Sequence, residues 1–369
     1  MPALVMRRTA ILLTLFVLLL CARAGANDYL IETVVEDIAY PWSIGFLPDG
    51  DALVTQRGGE LRRLSATGEL SSPIPGVPPV FARSQAGLFD ALPAPDFADT
   101  GVVYLSYAHG SAQANTPRVA RARLTENGIE DLEVIFSGTP KQSTAAHYGG
   151  RLAFLPDGTL LVTTGDGFNY REDPQRLDNT RGKTIRIHTD GSAPADNPFI
   201  DDPAAMDVIW TYGHRNPQGL VVLPDGRVFQ HEHGPAGGDE FNHLEAGRNY
   251  GWPVITYGLD YTGARVSPFT EYPGMEQPLV DWTPSIAPSG LAYYDGDAFP
   301  QWQGQFFVGG LAEQSIRRVE LRGDGAVDHG TVFDEIGARI RDVRTGPDGF
   351  LYVLTDEPNG RILRIRPQE

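Results

Sequence analysis

Phe46-Leu47-Pro48-Asp49-Gly50, Phe154-Leu155-Pro156-Asp157-Gly158, Val222-Leu223-Pro224-Asp225-Gly226 and Gly346-Pro347-Asp348-Gly349 are copies of one turn unit, each leading into an apolar run such as Leu160-Leu161-Val162-Thr163. Proline fixes the backbone at the second position of a tight turn, aspartate bonds its own backbone, and glycine takes the position that wants no side chain. Each copy therefore marks a hairpin. Degenerate copies fill the two gaps: Ala94-Pro95-Asp96-Phe97 ahead of Val102-Val103-Tyr104-Leu105, and Tyr294-Asp295-Gly296-Asp297 ahead of Phe306-Phe307-Val308. The six markers are spaced roughly 45 to 70 residues apart, enough chain between them for a four-stranded sheet, which is what propeller blades require.

Outward from these turns, short runs rich in Val, Leu, Ile, Phe and Tyr alternate with Gly, Pro and Asp, and no segment of ten or more residues carries a convincing helical period. The expected fold is all-β, a six-bladed β-propeller. A sandwich with similar turns is the competing arrangement, but a regular marker across the whole chain is hard to explain there. No linker, low-complexity tract or second domain interrupts the pattern. The longer inserts near residues 168–205 and 236–285 are expected to be loops above one face.

The first residues differ from the rest. Arg7 and Arg8 precede an uncharged apolar run over residues 10–20, and Ala24-Gly25-Ala26 follows. This order reads as a signal peptide, residues 1–26, cleaved to leave residues 27–369 as one propeller domain in the periplasm or secreted. The run is too short to favour a membrane span, and no later stretch approaches the roughly 20 apolar residues that one needs. A lipid anchor through Cys21 is opposed by Leu20, which stands where a small residue is wanted, and the flanks of Arg7-Arg8 fit a twin-arginine signal poorly. Cys21 is the only cysteine and leaves with the peptide, so the mature chain has neither disulfide nor thiol chemistry. Losing three arginines takes the formal charge from -17 to -20, a surface that repels phosphate backbones and argues against nucleic acid as a partner.

Candidate chemistry gathers around the third and fourth markers. Opposed positions of an antiparallel hairpin share a constant sum; a turn centred between residues 156 and 157 sets it at 313, which His147 and Asp166 also make. Their side chains are expected to meet at one mouth of the hairpin. An aspartate that accepts from one imidazole nitrogen fixes the tautomer and leaves the other nitrogen basic, which is how a general base is built; a purely structural His–Asp pair is the alternative. The fourth repeat opens on the polar cluster Tyr212-Gly213-His214-Arg215-Asn216-Pro217-Gln218-Gly219, and its marker is followed by His231-Glu232-His233-Gly234-Pro235-Ala236-Gly237-Gly238-Asp239-Glu240. Glycines there free carbonyls to turn toward a hard cation such as calcium. His231 and His233 suit zinc, but no third ligand follows at a recognisable spacing. Arg339 and Arg341 flank Ile340 and point to one face of a strand, a ready clamp for carboxylates, or else two solvated arginines on an exposed edge.

Together these segments closely resemble the soluble glucose/sorbosone dehydrogenase family that depends on pyrroloquinoline quinone (PQQ), in its bacterial aldose sugar dehydrogenase branch. The resemblance covers essentially the whole mature chain. It is carried most specifically by the run from Tyr212 to Gly219, by Glu-His-Gly-Pro from Glu232 with Gly-Gly-Asp-Glu, and by Arg-Ile-Arg-Asp-Val from Arg339. It implies His147 as catalytic base, Asp166 as the acid that orients it, Gln85 beside the quinone, and Arg215 with Asn216 at the reactive carbonyl. It implies main-chain oxygens of Gly234 and Pro235 on a calcium that bridges to PQQ, and Glu240 with the Tyr250 carbonyl on a second, structural calcium. Tyr261 and Trp282 are looser matches to pocket walls, and Arg339 and Arg341 to the cofactor's carboxylates. Three departures stand out: Gly310-Leu311-Ala312 where the family has Ser-Leu-Lys, Ala86 for a glycine beside Gln85, and Ala236 where close relatives carry arginine. Losing the lysine's charge-assisted bond costs about 1.5–3 kcal/mol, one to two decades of cofactor affinity.

The implied reaction takes the anomeric proton of an aldose sugar to His147 and its C1 hydride to PQQ, giving a lactone. Electrons then pass to an external acceptor, a quinone or cytochrome. Two other functions fit parts of the sequence. A calcium-dependent lactone hydrolase explains the acidic loops but leaves Arg215, Arg339 and Arg341 idle. A cofactor-less sugar- or protein-binding propeller draws on the missing lysine.

Overall fold

All six turn markers join the first strand of an antiparallel sheet to its second. The computed structural model describes residues 29–368, and the expected signal peptide lies outside them. Its six sheets are the blades of a β-propeller, in chain order. Blade 1 is three-stranded (Pro41–Phe46, Ala52–Gln56, Leu61–Leu64). Blade 2 comprises Leu88–Pro93, Val102–Gly110, Asn115–Thr125 and Gly128–Ser137. Blade 3 holds Leu152–Phe154, Leu160–Thr164, Lys183–Ile187 and Ile209–Tyr212; blade 4 holds Pro217–Val222, Val228–Glu232, Asp239–Leu244 and Val280–Trp282. Blade 5 is built from Pro288–Tyr294, Gln305–Gly310, Ile316–Arg322 and Gly325–Val332. Blade 6 takes Ile340–Thr345, Leu351–Thr355 and Gly360–Pro367 from the end of the chain and its outermost strand, Tyr29–Ile38, from the start. That last pairing, from Tyr29↔Pro367 to Ile38↔Gly360, closes the ring.

The degenerate second marker is wider because one helical turn, Phe97–Thr100, lies inside it. The two long inserts are not loops throughout, which corrects the expectation from sequence. Lys183–Ile187 lies within the first, and Asp239–Leu244 and Val280–Trp282 lie within the second. These strands are three to six residues long, too short for their alternation to stand out among polar neighbours.

Aromatic and aliphatic side chains fill the wedges between blades. Phe229, Phe241 and Phe306 pack with ring centroids 4.9–5.7 Å apart between blades 4 and 5, each such burial contributing about 1.5–3 kcal/mol. The first strands line the axis, where the approach is so close that a Cβ on Gly45 would meet the Ala91 carbonyl oxygen at 2.3 Å. One buried ion network ties these strands together. Arg151 reaches Asp342 at 3.0 Å, and Arg344 bridges Asp342 and Asp90 at 3.1 and 3.5 Å. Arg151 also donates to the Gln218 carbonyl and lies over the Trp42 ring. Charges this deep persist only when paired, and the pairing fixes the blades around the axis. Among the described residues no helix is long and apolar enough to cross a membrane.

Because each marker turn lies between a first and a second strand, the opposite rim is where first strands begin and second strands end. All the sequence-predicted site residues except Glu240, Tyr250, Tyr261 and Trp282 fall within a few residues of those ends.

Candidate active site

His147 precedes the first strand of blade 3 and has a left-handed backbone, φ +54°, leading into Gly149 and Gly150, also at positive φ. Its N–H donates to Gln85 Oε1 at 2.8 Å, which joins blade 3 to the loop before blade 2. Asp166 follows the second strand of the same blade. The two side chains meet, Nδ1 to Oδ1, at 2.7 Å, both buried. The ladder that brings them together has pairs adding to 314, as in Leu160↔Phe154 and Val162↔Leu152, one more than the sequence arithmetic gave. The turn at Gly149-Gly150 absorbs the difference. Asp166 accepts three times in all, from the imidazole and the Phe168 N–H on Oδ1 and, on Oδ2, from the Trp252 indole at 2.9 Å.

The Asp166 carboxylate holds the imidazole with its proton on Nδ1, so the lone pair sits on Nε2, which has no hydrogen-bond partner among the described residues. Burial lowers the ring's pKa below its usual 6.5; Asp166 pulls it back and Arg215 pushes it down again. Burial opposes ionisation of Asp166, yet His147 and Arg215 hold its carboxyl below the ordinary range. The pair is therefore a neutral imidazole on a carboxylate, the resting state of a general base.

Arg215 and Asn216 precede the first strand of blade 4. The Arg215 backbone N–H donates to Glu232, whose other oxygen takes His214 Nδ1–H at 2.8 Å. The guanidinium donates to the Gly234 carbonyl at 2.5 Å and the His233 carbonyl at 3.2 Å, reaches the Tyr261 hydroxyl at 3.4 Å, and lies 5.2 Å from the Trp252 ring. Tyr261 is an exposed rim residue stacked on Phe168. Asn216 Oδ1 accepts from the Gly149 N–H.

A cavity of about 430 Å³ opens at the centre of this rim, bounded by Gln85, Tyr148, Gly149 and Asn216 on the side of the His147 pair and by Arg57, Arg339, Arg341 and Asp356 elsewhere. The two expected arginines share one carboxylate, Asp356, at 3.6 Å for Arg339 and 3.1 Å for Arg341. Arg57 approaches it at 3.7 Å. Burial raises the Asp356 carboxyl, but the three arginines outweigh that and hold it below the ordinary range. Three cations and one anion leave two positive charges on this wall.

Gly234 and Pro235 form the turn between the second and third strands of blade 4. Asp239 anchors it, accepting from the Gly234 N–H at 2.9 Å and from Ser285, Ile286 and Ala287 at 2.7–3.0 Å; burial still lifts its carboxyl to about 6. A cavity of about 10 Å³, the size of one ion or water, lies among Arg215, Glu232, Gly234, Glu240 and Trp252. Glu240 pairs directly with Glu232 on one side and Asp281 on the other. Burial, then repulsion from Glu232, pushes its carboxyl well above the usual range. Asn242 Oδ1 and Asp281 Oδ2, nearby, are buried without a hydrogen-bond partner. Oxygen acceptors without donors suit a hard cation, although no group of three His, Cys, Asp or Glu stands ready to hold a metal among the described residues. Tyr250 donates its hydroxyl to the His243 carbonyl and stacks on His214.

Trp282 does not join the others. It packs with Phe229, Phe241 and Phe306, and its indole donates to Asp328 at 2.9 Å, so it belongs to the wedge between blades 4 and 5.

The sequence profile of glucose/sorbosone dehydrogenases matches residues 38–364. The chain belongs to the glucose/sorbosone dehydrogenase family. It is 42% identical over 346 residues to aldose sugar dehydrogenase YliI of Escherichia coli strain K12, spanning 92% of this chain and 93% of that one. The crystal structure of the soluble aldose sugar dehydrogenase of Escherichia coli in its apo-form matches with a TM-score of 0.89 at 41% identity, over 92% of this chain and 100% of that chain. The PQQ-bound form of the aldose sugar dehydrogenase of Streptomyces coelicolor matches with a TM-score of 0.74 at 28% identity, over 92% and 98%.

Within this glucose/sorbosone dehydrogenase, sequence reasoning missed Arg57 and Asp356 on the cavity wall and Trp252 behind Asp166, and weighed His233, also on that wall, only as a zinc ligand. A signal for the three wall residues exists. Arg57, His233 and Asp356 each lie seven residues after a marker glycine, Gly50, Gly226 and Gly349, and Asp166 lies eight after Gly158. That span is one five-residue second strand with a flanking residue or two, so the markers on one rim count out the site on the other.

Proposed function

We propose that this chain is an exported, periplasmic aldose sugar dehydrogenase that oxidises the anomeric carbon of its substrate to a lactone with PQQ in the central cavity, passing electrons to an external acceptor. The observation that carries this reading is a neutral, carboxylate-oriented imidazole beside a cavity whose wall holds an excess of guanidinium charge. When bound, PQQ supplies the two-electron sink for the substrate hydride.

The residues present fit such a group. Arg339 and Arg341 would take its carboxylates, and Gln85 and Asn216 would border it on the side of His147. His147 Nε2 takes the proton of the anomeric hydroxyl, and Asp166 stabilises the imidazolium that results. Arg215 would face the negative charge that grows on the bound acceptor and so lower the barrier electrostatically. Tyr261 offers a rim wall to the sugar. Trp282 has no part in this reading.

Calcium would be held by the carbonyls of Gly234 and Pro235, and a second ion by Glu240 and the Tyr250 carbonyl. The guanidinium of Arg215 now donates to the Gly234 carbonyl, so a cation there and Arg215 compete for one oxygen.

The test is to strip the purified protein of metals, titrate PQQ with and without calcium, and follow glucose-dependent reduction of an artificial dye. Saturable, calcium-dependent binding with turnover is the expected result. Absence of binding at high micromolar PQQ replaces this reading with a cofactor-less propeller or a lactone hydrolase.

A further inference from the structure

The cavity has an uneven ring of charge. On the blade 5 side, Leu311 lines it and its carbonyl already accepts from Arg339 at 3.1 Å. Ala312 is exposed and carries no charge, and Glu313 is committed to Arg317 at 2.6 and 2.8 Å. On the blade 1 side stands Arg57, immediately after the second strand, its guanidinium 4.1 Å from the Tyr40 ring centroid. Arg57 reaches Asp356 only at 3.7 Å, and its guanidinium makes no hydrogen bond among the described residues. An arginine with five N–H donors on a cavity wall and none of them bonded is set for a planar, bidentate acceptor. A second observation agrees: Arg341 Nε, next to it across Asp356, is buried without a partner.

Blade order adds the geometry. Arg57 belongs to blade 1 and Arg339, Arg341 and Asp356 to blade 6, so the cations gather at the junction of those two blades. His147, Asp166 and Arg215 gather at the junction of blades 3 and 4. In a ring of six these junctions lie opposite each other. A flat molecule spanning the cavity would have its reacting edge at one and its anionic edge at the other.

We propose that Arg57 is a direct ligand for a carboxylate of the bound cofactor, supplying from blade 1 the positive charge that the Gly310-Leu311-Ala312 segment of blade 5 lacks. The proposal rests on the reading that the cavity takes PQQ, a planar tricarboxylate. Three carboxylates against Arg57, Arg339 and Arg341 give each its own guanidinium, and Asp356 keeps the three cations together when the cavity is empty.

The experiment is direct titration of PQQ into the metal-reconstituted protein by absorption or calorimetry, with no sugar and no dye, for wild type, Arg57→Gln and Arg57→Lys. Apo melting temperatures confirm that each variant is folded. Arg57→Gln should weaken PQQ binding by about 10- to 100-fold and flatten its dependence on salt, while Arg57→Lys, which restores the charge without the planar fork, recovers part of the loss. Unchanged affinity in Arg57→Gln overturns the proposal, as does a loss that Arg57→Lys does not reduce at all, since charge is then no part of what Arg57 provides. A wild-type protein that does not bind PQQ fails the functional reading itself, a result distinct from either.

Discussion

The Trp252 indole donates to Asp166 at 2.9 Å, on the carboxylate oxygen that His147 does not use. Trp252 comes from the long insert between the third and fourth strands of blade 4, and Asp166 from the end of a strand in blade 3. The acid that fixes the imidazole is thereby itself fixed, across a blade boundary, with both carboxylate oxygens held by protein donors.

If Nε2 of His147 takes the substrate proton, His147→Gln keeps the ring's approximate size and its backbone bond to Gln85 but has no base. Turnover should fall by about 10²- to 10⁴-fold, with PQQ affinity within a few-fold of wild type. Steady-state dye reduction together with cofactor titration decides it. Parent-level turnover in the variant would show that another group is the base.

The pH dependence follows from burial. His147 titrates below 6.5 in the fold, so kcat/KM should be flat through neutrality and fall only as pH drops through that lowered value. Stability moves in the same direction. The unfolded ring binds its proton near 6.5 while the folded ring resists it, so the contribution is complete above 6.5 and is lost as pH falls toward the folded value. Asp166→Asn removes the influence that raises the ring's pKa, so the acid limb should shift further down while the plateau drops. A limb that moves up instead would mean the dyad's charges are misassigned.

Trp252→Phe tests positioning. The substitution keeps an aromatic ring beside Arg215 but removes the donor to Asp166. A lost charge-assisted bond is worth about 1.5–3 kcal/mol; part should appear as a lower Tm and part as a lower kcat, with KM for sugar little changed. A rise in KM alone would place Trp252 in substrate binding.

Much of this arrangement can be read from the chain, and the limits are physical. The marker turns fix blade number because Pro-Asp-Gly is local chemistry that needs no partner. Pairing of His147 with Asp166 follows from hairpin arithmetic, although two glycines at positive φ shift the sum by one. Trp252 is not legible in the same way: it reaches Asp166 through an insert whose path depends on tertiary contacts, and nothing local points its indole N–H. Trp282 fails for the converse reason, since a tryptophan near the pocket segments looks the same in sequence whether it faces the cavity or the wedge between blades. Arg57, in Gln56-Arg57-Gly58-Gly59, looks like a surface turn until its distance from Gly50 is compared with that of Asp356 from Gly349.

Asp356 offers a prediction with two opposite signs. It sits 3.1–3.7 Å from Arg341, Arg339 and Arg57 and is the carboxylate they share. Asp356→Asn should destabilise the apo-protein by about 3 kcal/mol or more, as expected when a buried pair loses one partner. It should also tighten PQQ binding, because the wall then carries three uncompensated cations. A variant that loses both stability and affinity would mean that Asp356 holds the guanidiniums in place more than it neutralises them.

The acidic cluster of blade 4 gives the last test. Glu240 lies between Glu232 and Asp281 on adjacent strands, and Asn242 Oδ1 and Asp281 Oδ2 are buried acceptors without donors. Buried like charges repel, so an ion that binds there binds the folded chain and not the unfolded one. Calcium at about 100 times its Kd should then add about 2.7 kcal/mol to stability. Thermal unfolding in calcium against chelator should show a higher Tm with the ion. Glu240→Gln relieves the repulsion and removes a ligand, so it should raise the Tm in chelator and abolish most of the calcium response. A calcium response of undiminished size in Glu240→Gln would place the stabilising ion elsewhere, with the Gly234 turn as the remaining candidate.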